Sequence, residues 1–151
     1  MNANPSPGAP SAAASPTPVS VVIRTKTGNP EVLEVIRLLL DQDQLPAEIV
    51  LVDSGSAPAI LEGFAKLTAQ APAGCVVRLF PIPAHTYQSA RALNQGLGWA
   101  RHEYVGIISQ DALPANGRYL SAMSEALDAN PRLAGVYGRQ VLKDEYDPLG
   151  E

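Results

Sequence analysis

Two acidic side chains stand where this sequence is best placed to meet a ligand. Asp53 closes the run Glu48-Ile49-Val50-Leu51-Val52 and is followed by Ser54-Gly55-Ser56, while Asp111 closes Tyr104-Val105-Gly106-Ile107-Ile108-Ser109-Gln110. Short apolar runs bounded by turn residues read as buried strands, so each acid sits at a strand's exit. In an open α/β sheet, ligands bind outside the carboxyl ends of the strands. The two acids can therefore serve one site.

The elements that must position them follow from the hydrophobic pattern. From Val19 onward, short apolar runs alternate with helical periods, which is the signature of βαβ units around a mostly parallel sheet. Val19 to Ile23 reads as the first strand, and Asn29-Pro30 opens a helix whose apolar face is Leu33, Ile36, Leu39 and Leu40. After the Asp53 strand, Ile60, Leu61, Phe64 and Leu67 recur at helical spacing, and Ala71-Pro72-Ala73-Gly74 interrupts before a third strand near Val76 to Phe80. A third helix spans roughly Gln88 to Arg101, with Leu93, Leu97 and Ala100 on one face and Arg91, Asn94 and Gln95 largely off it. A further helix ends at about Ala129, with Leu120, Met123 and Leu127 inward, and Asn130-Pro131 stops it. Leu133 to Tyr137 reads as a fifth strand.

Composition narrows the class. The 151 residues fit one domain, with residues 1–18 expected to form a disordered Pro/Ala/Ser-rich tail, 19–140 the folded domain and 141–151 a charged C-terminal segment. The tail has neither the cationic start nor the apolar stretch of a signal peptide, and no run elsewhere approaches the roughly 18 apolar residues of a membrane span. A net charge of −4 argues against nucleic acid as a partner, because holding polyanions takes clustered Lys and Arg. The single cysteine, Cys75, opens the apolar Val76-Val77-Arg78-Leu79-Phe80 and reads as a buried small hydrophobe, without a disulfide framework.

The standard phosphate cradles are missing. Arg24-Thr25-Lys26-Thr27-Gly28-Asn29, after the first strand, matches neither G-x-G-x-x-G nor G-x-x-x-x-G-K-[ST], which disfavours a dinucleotide dehydrogenase or a P-loop NTPase. Gly96-Leu97-Gly98 lies inside a helix, where close packing on a neighbour is the better reading. A phosphorylated receiver domain gathers its acids at the first and third strands. Those exits here read Arg24-Thr25-Lys26 and Pro81-Ile82-Pro83.

Taken in order, Val19-Ser20-Val21-Val22-Ile23-Arg24-Thr25-Lys26, then Glu48 to Ser56, Ala90-Arg91-Ala92-Leu93-Asn94-Gln95-Gly96, and Ser109-Gln110-Asp111-Ala112-Leu113-Pro114 resemble the successive motifs of the inverting family-two glycosyltransferases. The match covers nearly all the chain from Val19. The last segment, with Tyr137-Gly138-Arg139-Gln140, looks most like the rhamnosyltransferase-type branch. The resemblance implies an α/β fold, GT-A-like, in three α/β/α layers with a mostly parallel central sheet, truncated at the C-terminus.

For the site, the resemblance implies that Asp53 accepts a hydrogen bond from the N3–H of a uracil or thymine base, a charge-assisted bond of about 1.5–3 kcal/mol. The alternative is an Asx turn in which Asp53 organises Ser54-Gly55. Thr25 and Lys26 would line the nucleotide pocket, Arg91 would pair with the diphosphate, and Asn94 and Gln110 would support the same nucleotide. Asp111 would bear the divalent metal, Mg2+ or Mn2+, although the usual D-x-D has become Ser109-Gln110-Asp111. A solvated Lys26 or Arg91 and a capping Asp111 are the plain alternatives. Arg139 is an even choice between the two kinds of role, and His85 and His102 read as structural or solvent-exposed.

Inverting transfer also needs a general base at the acceptor hydroxyl, and Asp144, Glu145, Asp147 and Glu151 follow the last motif without a pattern that selects one. The expectation is thus the donor-binding portion of a glycosyltransferase. It would take a UDP- or dTDP-linked sugar, act on a glycan acceptor in polysaccharide biosynthesis, and reside in the cytoplasm or at the inner face of the membrane. A non-catalytic nucleotide-sugar-binding module is the rival.

Overall fold

The computed structural model describes residues 16–26 and 29–141. Four strands and four helices alternate: β1 (Val19–Lys26), α1 (Glu31–Leu40), β2 (Glu48–Ser54), α2 (Pro58–Gln70), β3 (Val76–Pro81), α3 (Ser89–Trp99), β4 (Tyr104–Ser109) and α4 (Tyr119–Asp128), with a 3-10 turn at Ala84–Thr86 before α3. The strands lie in the order β3-β2-β1-β4, and every pairing is parallel. All strand exits therefore share one rim.

Side chains alternate across the sheet, and each face has its own core. Val19, Val21, Ile23, Ile49, Leu51 and Ile108 pack with Val32, Val35, Ile36 and Leu39 of α1, Ile60 and Phe64 of α2, and Leu120 of α4. Val22, Val50 and Val52 pack on the opposite face beneath Ala92 of α3. The result is the expected three layers. β2 is buried along its whole length, as a strand covered on both faces must be, and fully burying one Val or Ile contributes about 1.5–3 kcal/mol.

Asn29 caps α1. Its Oδ1 accepts from the Glu31 N–H at 3.1 Å, and Pro30 already has helical dihedrals of −60° and −21°. The buried row of α1 is Val32, Val35, Ile36 and Leu39, so the apolar stripe is turned by about one residue from the leucine-based face. Leu33 and Leu40 are partly buried against the same core. Leu33 meets α2 where Gly63 leaves room, since a Cβ there would stand 2.7 Å from Leu33 Cδ1.

α3 also differs from expectation. Ala92 and Gly96 form its fully buried row, with Leu93 and Leu97 only partly covered. A Cβ on Gly96 would come within 2.5 Å of Val22 and 3.0 Å of Val52, whereas one on Gly98 would meet nothing within 4 Å. The close-packing reading of this glycine pair holds for Gly96 and not for Gly98.

Two expectations fail. Leu133 to Tyr137 forms no strand; Leu133 is 43% and Tyr137 94% exposed. The segment contains Gly135, gains no ladder partner, and instead passes α4, where Gly138 lies against Met123 and Tyr119. The inward face of α4 is Leu120, Ser121 and Ser124, not Leu120, Met123 and Leu127. Its serines are buried because they hydrogen-bond to the α1–β2 connection, Ser121 Oγ to Asp43 Oδ2 at 3.0 Å and Ser124 Oγ to Gln44 Oε1 at 2.6 Å.

Thr17, at the end of the segment read as a tail, is tied down by donating to Asp128 Oδ1 and accepting from Gln44 Nε2. Residues 1–15 of that segment lie outside the described residues, as do Asp144, Glu145, Asp147 and Glu151. Among the described residues no helix is long and apolar enough to cross a membrane.

Candidate active site at the carboxyl rim of the sheet

Asp53 is the last-but-one residue of β2 and pairs in register with Thr25 of β1. Strand alternation puts both side chains on the α1/α2 face. Asp53 is 4% exposed and Thr25 is fully buried. The Asp53 carboxylate accepts from the Ser56 N–H at Oδ2 (3.3 Å) and from Ser56 Oγ at Oδ1. Asp53 therefore does organise the turn that follows, through Ser56. Gly55 makes that turn possible with a φ of 83°. Each carboxylate oxygen still has a lone pair to offer, so the turn role leaves room for a ligand.

Thr25 Oγ1 and Ser54 Oγ are buried hydroxyls without a hydrogen-bond partner among the described residues. Leaving such a group unpaired costs about 1–3 kcal/mol, a debt a bound polar ligand would remove. Lys26 faces the α3 side, its Nζ 5.2 Å from the Tyr87 ring centroid. Arg24, two residues earlier on the same face, donates from Nη1 to Tyr87 Oη at 3.2 Å. Tyr87 thus anchors the segment before α3 to the exit of β1.

Beyond β4, Gln110 and Asp111 begin the connection to α4. Gln110 Oε1 accepts from the Lys26 N–H at 3.1 Å, so its side chain fastens the exit of β4 to that of β1. Asp111 is exposed. β1 alone separates β2 from β4, so the strand exits that lead to Asp53 and Asp111 are two ladder spacings, roughly 10 Å, apart across the sheet. Arg91 and Asn94 lie in the first turns of α3, on its exposed side and at the same rim. Arg91 borders a cavity of about 240 Å³ with Ile82, Gln88 and Gln95. A larger hollow, about 600 Å³, runs along α4 and touches none of the site residues read from sequence.

The rim thus brings together Thr25, Lys26, Asp53, Gln110 and Asp111, with Arg91 and Asn94 on the α3 side. For a metal, no group of three or more His, Cys, Asp or Glu side chains is gathered among the described residues. Asp111 alone is a hard oxygen donor of the kind that Mg2+ or Mn2+ shares with phosphate oxygens. Ser56 and Tyr87 were missed in the sequence. The Asp-x-x-Ser spacing of an Asx-type turn could have pointed to Ser56; Tyr87 had no local signal.

The two histidines lie at different edges of the sheet. His85 is exposed in the 3-10 turn. His102 is at the opposite edge, where its Nδ1 is 2.9 Å from Ser20 Oγ and 3.7 Å from Glu48. There Glu48, 2% exposed, accepts from Ser20 Oγ at 2.8 Å, from the Arg101 N–H at 2.6 Å and from Arg78. Burial pushes the Glu48 carboxyl up, but these donors together outweigh it and hold it below its ordinary value. Arg78 also donates to the Trp99 carbonyl at 2.6 Å, and Trp99 stacks on Phe80 with centroids 4.2 Å apart. This buried network locks the entry edge of the sheet.

A doubly covered parallel sheet with polar groups gathered at its carboxyl rim is the α/β arrangement in which ligands sit at that rim, here with a GT-A-like architecture. The family model for "Glycosyl transferase family 2" matches residues 20–149, and the chain belongs to that family. Among solved structures, it is similar to the mannosyltransferase PcManGT from Pyrobaculum calidifontis in complex with GDP-Man and Mn2+ (26% identity, TM-score 0.67, 78% of this chain and 34% of that one). It also resembles in fold the S. aureus TarS 1–349 structure in complex with UDP-GlcNAc (22% identity, TM-score 0.62, 83% of this chain and 37% of that one). The chain therefore spans a little over a third of the length of these structures. A search of curated proteins returned no match.

Proposed function

We propose that the carboxyl rim binds the nucleoside-diphosphate sugar of a glycosyltransferase, and that the parent reaction is inverting transfer to a glycan hydroxyl. The observation that carries this reading is the registered Thr25–Asp53 pair, a buried orphan hydroxyl beside a carboxylate, two strands from Asp111 at the same rim. Asp53 would accept from the N3–H of a pyrimidine base while Ser56 fixes its orientation, and Thr25 would find there the partner it lacks. Lys26, Arg91 and Asn94 would border the diphosphate, with Gln110 bracing the Lys26 backbone. Asp111 would hold Mg2+ or Mn2+ together with phosphate oxygens, the metal neutralising charge on the departing diphosphate.

A rhamnosyl-type donor, UDP- or dTDP-linked, and a cytoplasmic site facing the membrane's inner leaflet belong to the same reading. The similarity to structures solved with GDP-Man and with UDP-GlcNAc supports a nucleotide sugar as the ligand class. Calorimetric titration with UDP, dTDP and GDP, with and without Mn2+, tests it. Pyrimidine preference that disappears in Asp53→Ala is the expected result; equal binding of all three diphosphates, unaffected by Asp53→Ala, would refute the base assignment.

A second reading keeps the ligand and drops the chemistry. The lone Asp111 where a D-x-D is usual favours a nucleotide-sugar-binding module without turnover. Donor hydrolysis or transfer by this chain, measured by release of free diphosphate, separates the two.

A further inference from the structure

Resting on the donor-site reading above, we propose that Gln42 is a positioning residue for the loop that presents Asp111. Asp111 lies on the connection between β4 and α4, and that connection is pinned at both ends. At its start Gln110 Oε1 accepts from the Lys26 N–H at 3.1 Å, and the Ala112 N–H closes a turn onto the Ser109 carbonyl at 3.2 Å. At its far end the Asn116 carbonyl accepts from Gln42 Nε2 at 3.0 Å, and the Gly117 carbonyl accepts from the Asp43 N–H at 2.9 Å. Between the two ends Leu113 packs against the core and Pro114 is buried.

Gln42 is 6% exposed and uses its amide on three elements at once. Nε2 donates to the Leu38 carbonyl in the last turn of α1 (3.0 Å) as well as to Asn116, and Oε1 accepts from the Leu120 N–H at the start of α4 (3.2 Å). The first N–H groups of a helix have no partner inside it. α4 has no side-chain cap of its own, so the cap comes from Gln42, 78 residues earlier in the chain. One buried amide thus holds α1, the Asp111 loop and α4 in fixed relation.

The chemistry makes that relation matter. Among the described residues no group of three or more His, Cys, Asp or Glu side chains is gathered to share a cation, so a displacement of the Asp111 carboxylate weakens its hold on a cation shared with the diphosphate. Groups that orient a metal ligand without touching the metal typically carry 10–100-fold in metal affinity or activity. Gln44 is the natural comparison. It also docks α4, by accepting from Ser124 Oγ, and donates to the Thr17 carbonyl, but makes no hydrogen bond to the Asp111 loop.

The test is calorimetric titration of the full chain with UDP, with and without Mn2+, in wild type, Gln42→Leu, Gln42→Glu and Gln44→Leu, each first checked for cooperative unfolding. Gln42→Glu keeps an acceptor for the Leu120 N–H but removes the donor to Asn116. Both Gln42 variants are expected to retain metal-free UDP affinity and to lose roughly tenfold of the gain that Mn2+ confers, while Gln44→Leu keeps that gain. An unchanged Mn2+ gain in a folded Gln42 variant overturns the proposal. So does an equal loss in Gln44→Leu, and so does a failure of both Gln42 variants to fold, which would make the residue a folding element only. Absence of UDP binding in wild type would instead bring down the donor-site reading itself, and UDP binding without any Mn2+ gain would remove the metal role of Asp111 and this inference with it.

Discussion

Replacing Gly96 by alanine should move α3 and destabilise the protein, whereas the same change two residues on should not. A Cβ at Gly96 would stand 2.5 Å from Val22 Cγ1, a shortfall of 0.9 Å against the 3.4 Å at which ordinary contact begins, and 3.0 Å from Val52 Cγ2. Both valines are fully buried in adjacent strands, so neither can retreat. The helix must rise from the sheet or a valine must leave its rotamer. Overpacking of this kind costs about 1–3 kcal/mol, offset by about 1 kcal/mol of gained helix propensity. The short Val22 contact puts the net near 1–2 kcal/mol of destabilisation.

Gly98 offers the control within the same helix. Open space surrounds it, and its φ is not positive, so Gly98→Ala should gain up to about 1 kcal/mol from helix propensity alone. Urea unfolding monitored by circular dichroism measures both variants, with unchanged slopes showing that the midpoints report stability. Effects of equal sign and size would refute the claim that α3 approaches the sheet through Gly96. Since Arg91 lies on the same helix, the Gly96 variant should also weaken diphosphate binding, and Gly98→Ala should not.

Further outcomes follow from other parts of the fold. Glu48→Gln should cost roughly 3 kcal/mol at pH 7, the lower end of what breaking a buried ion pair costs. Glu48 is held below its ordinary value, so its contribution is complete above the unfolded value of about 4.3 and fades as pH falls through the folded one; the wild-type advantage should shrink in urea titrations run toward pH 3. Burial first, and the Glu48 charge second, push the Cys75 thiol up to about 11, so the native protein should resist a maleimide at pH 7.5 and react once unfolded in urea. Gly55→Ala should cost about 1–2 kcal/mol, because Gly55 has φ 83° and its Cβ would stand 3.2 Å from that of Ala84; a midpoint unchanged from wild type would refute the strained turn.

The strands and the helix faces were legible to different degrees. The strands of the sheet show in the sequence because each is a short apolar run ended by turn residues, and βαβ connectivity then forces the exits of β2 and β4 onto one rim. Asp53 and Asp111 could be placed there from sequence alone. Helix faces were less legible where small or polar residues line the buried side. α3 meets the sheet through Ala92 and Gly96, and α4 through Ser121 and Ser124, so counting leucines pointed elsewhere. The partners of those serines lie about 80 residues away, as do the contacts of Gln42 with α4 and of Ser20 with His102. Hydrogen bonds at such separations leave no local pattern. Leu133 to Tyr137 has strand-like residues, but a strand also needs a neighbour to pair with, which a single run cannot reveal.

The most direct measurement is a crystal structure of the chain soaked with UDP and Mn2+, with anomalous data collected for manganese. The uracil N3 should lie within hydrogen-bonding distance of the Asp53 carboxylate, and the manganese peak should fall beside Asp111 against the phosphates. Nucleotide density away from the β1–β2 exits, or manganese held on the diphosphate without Asp111, would contradict the convergence of the two acids on one donor.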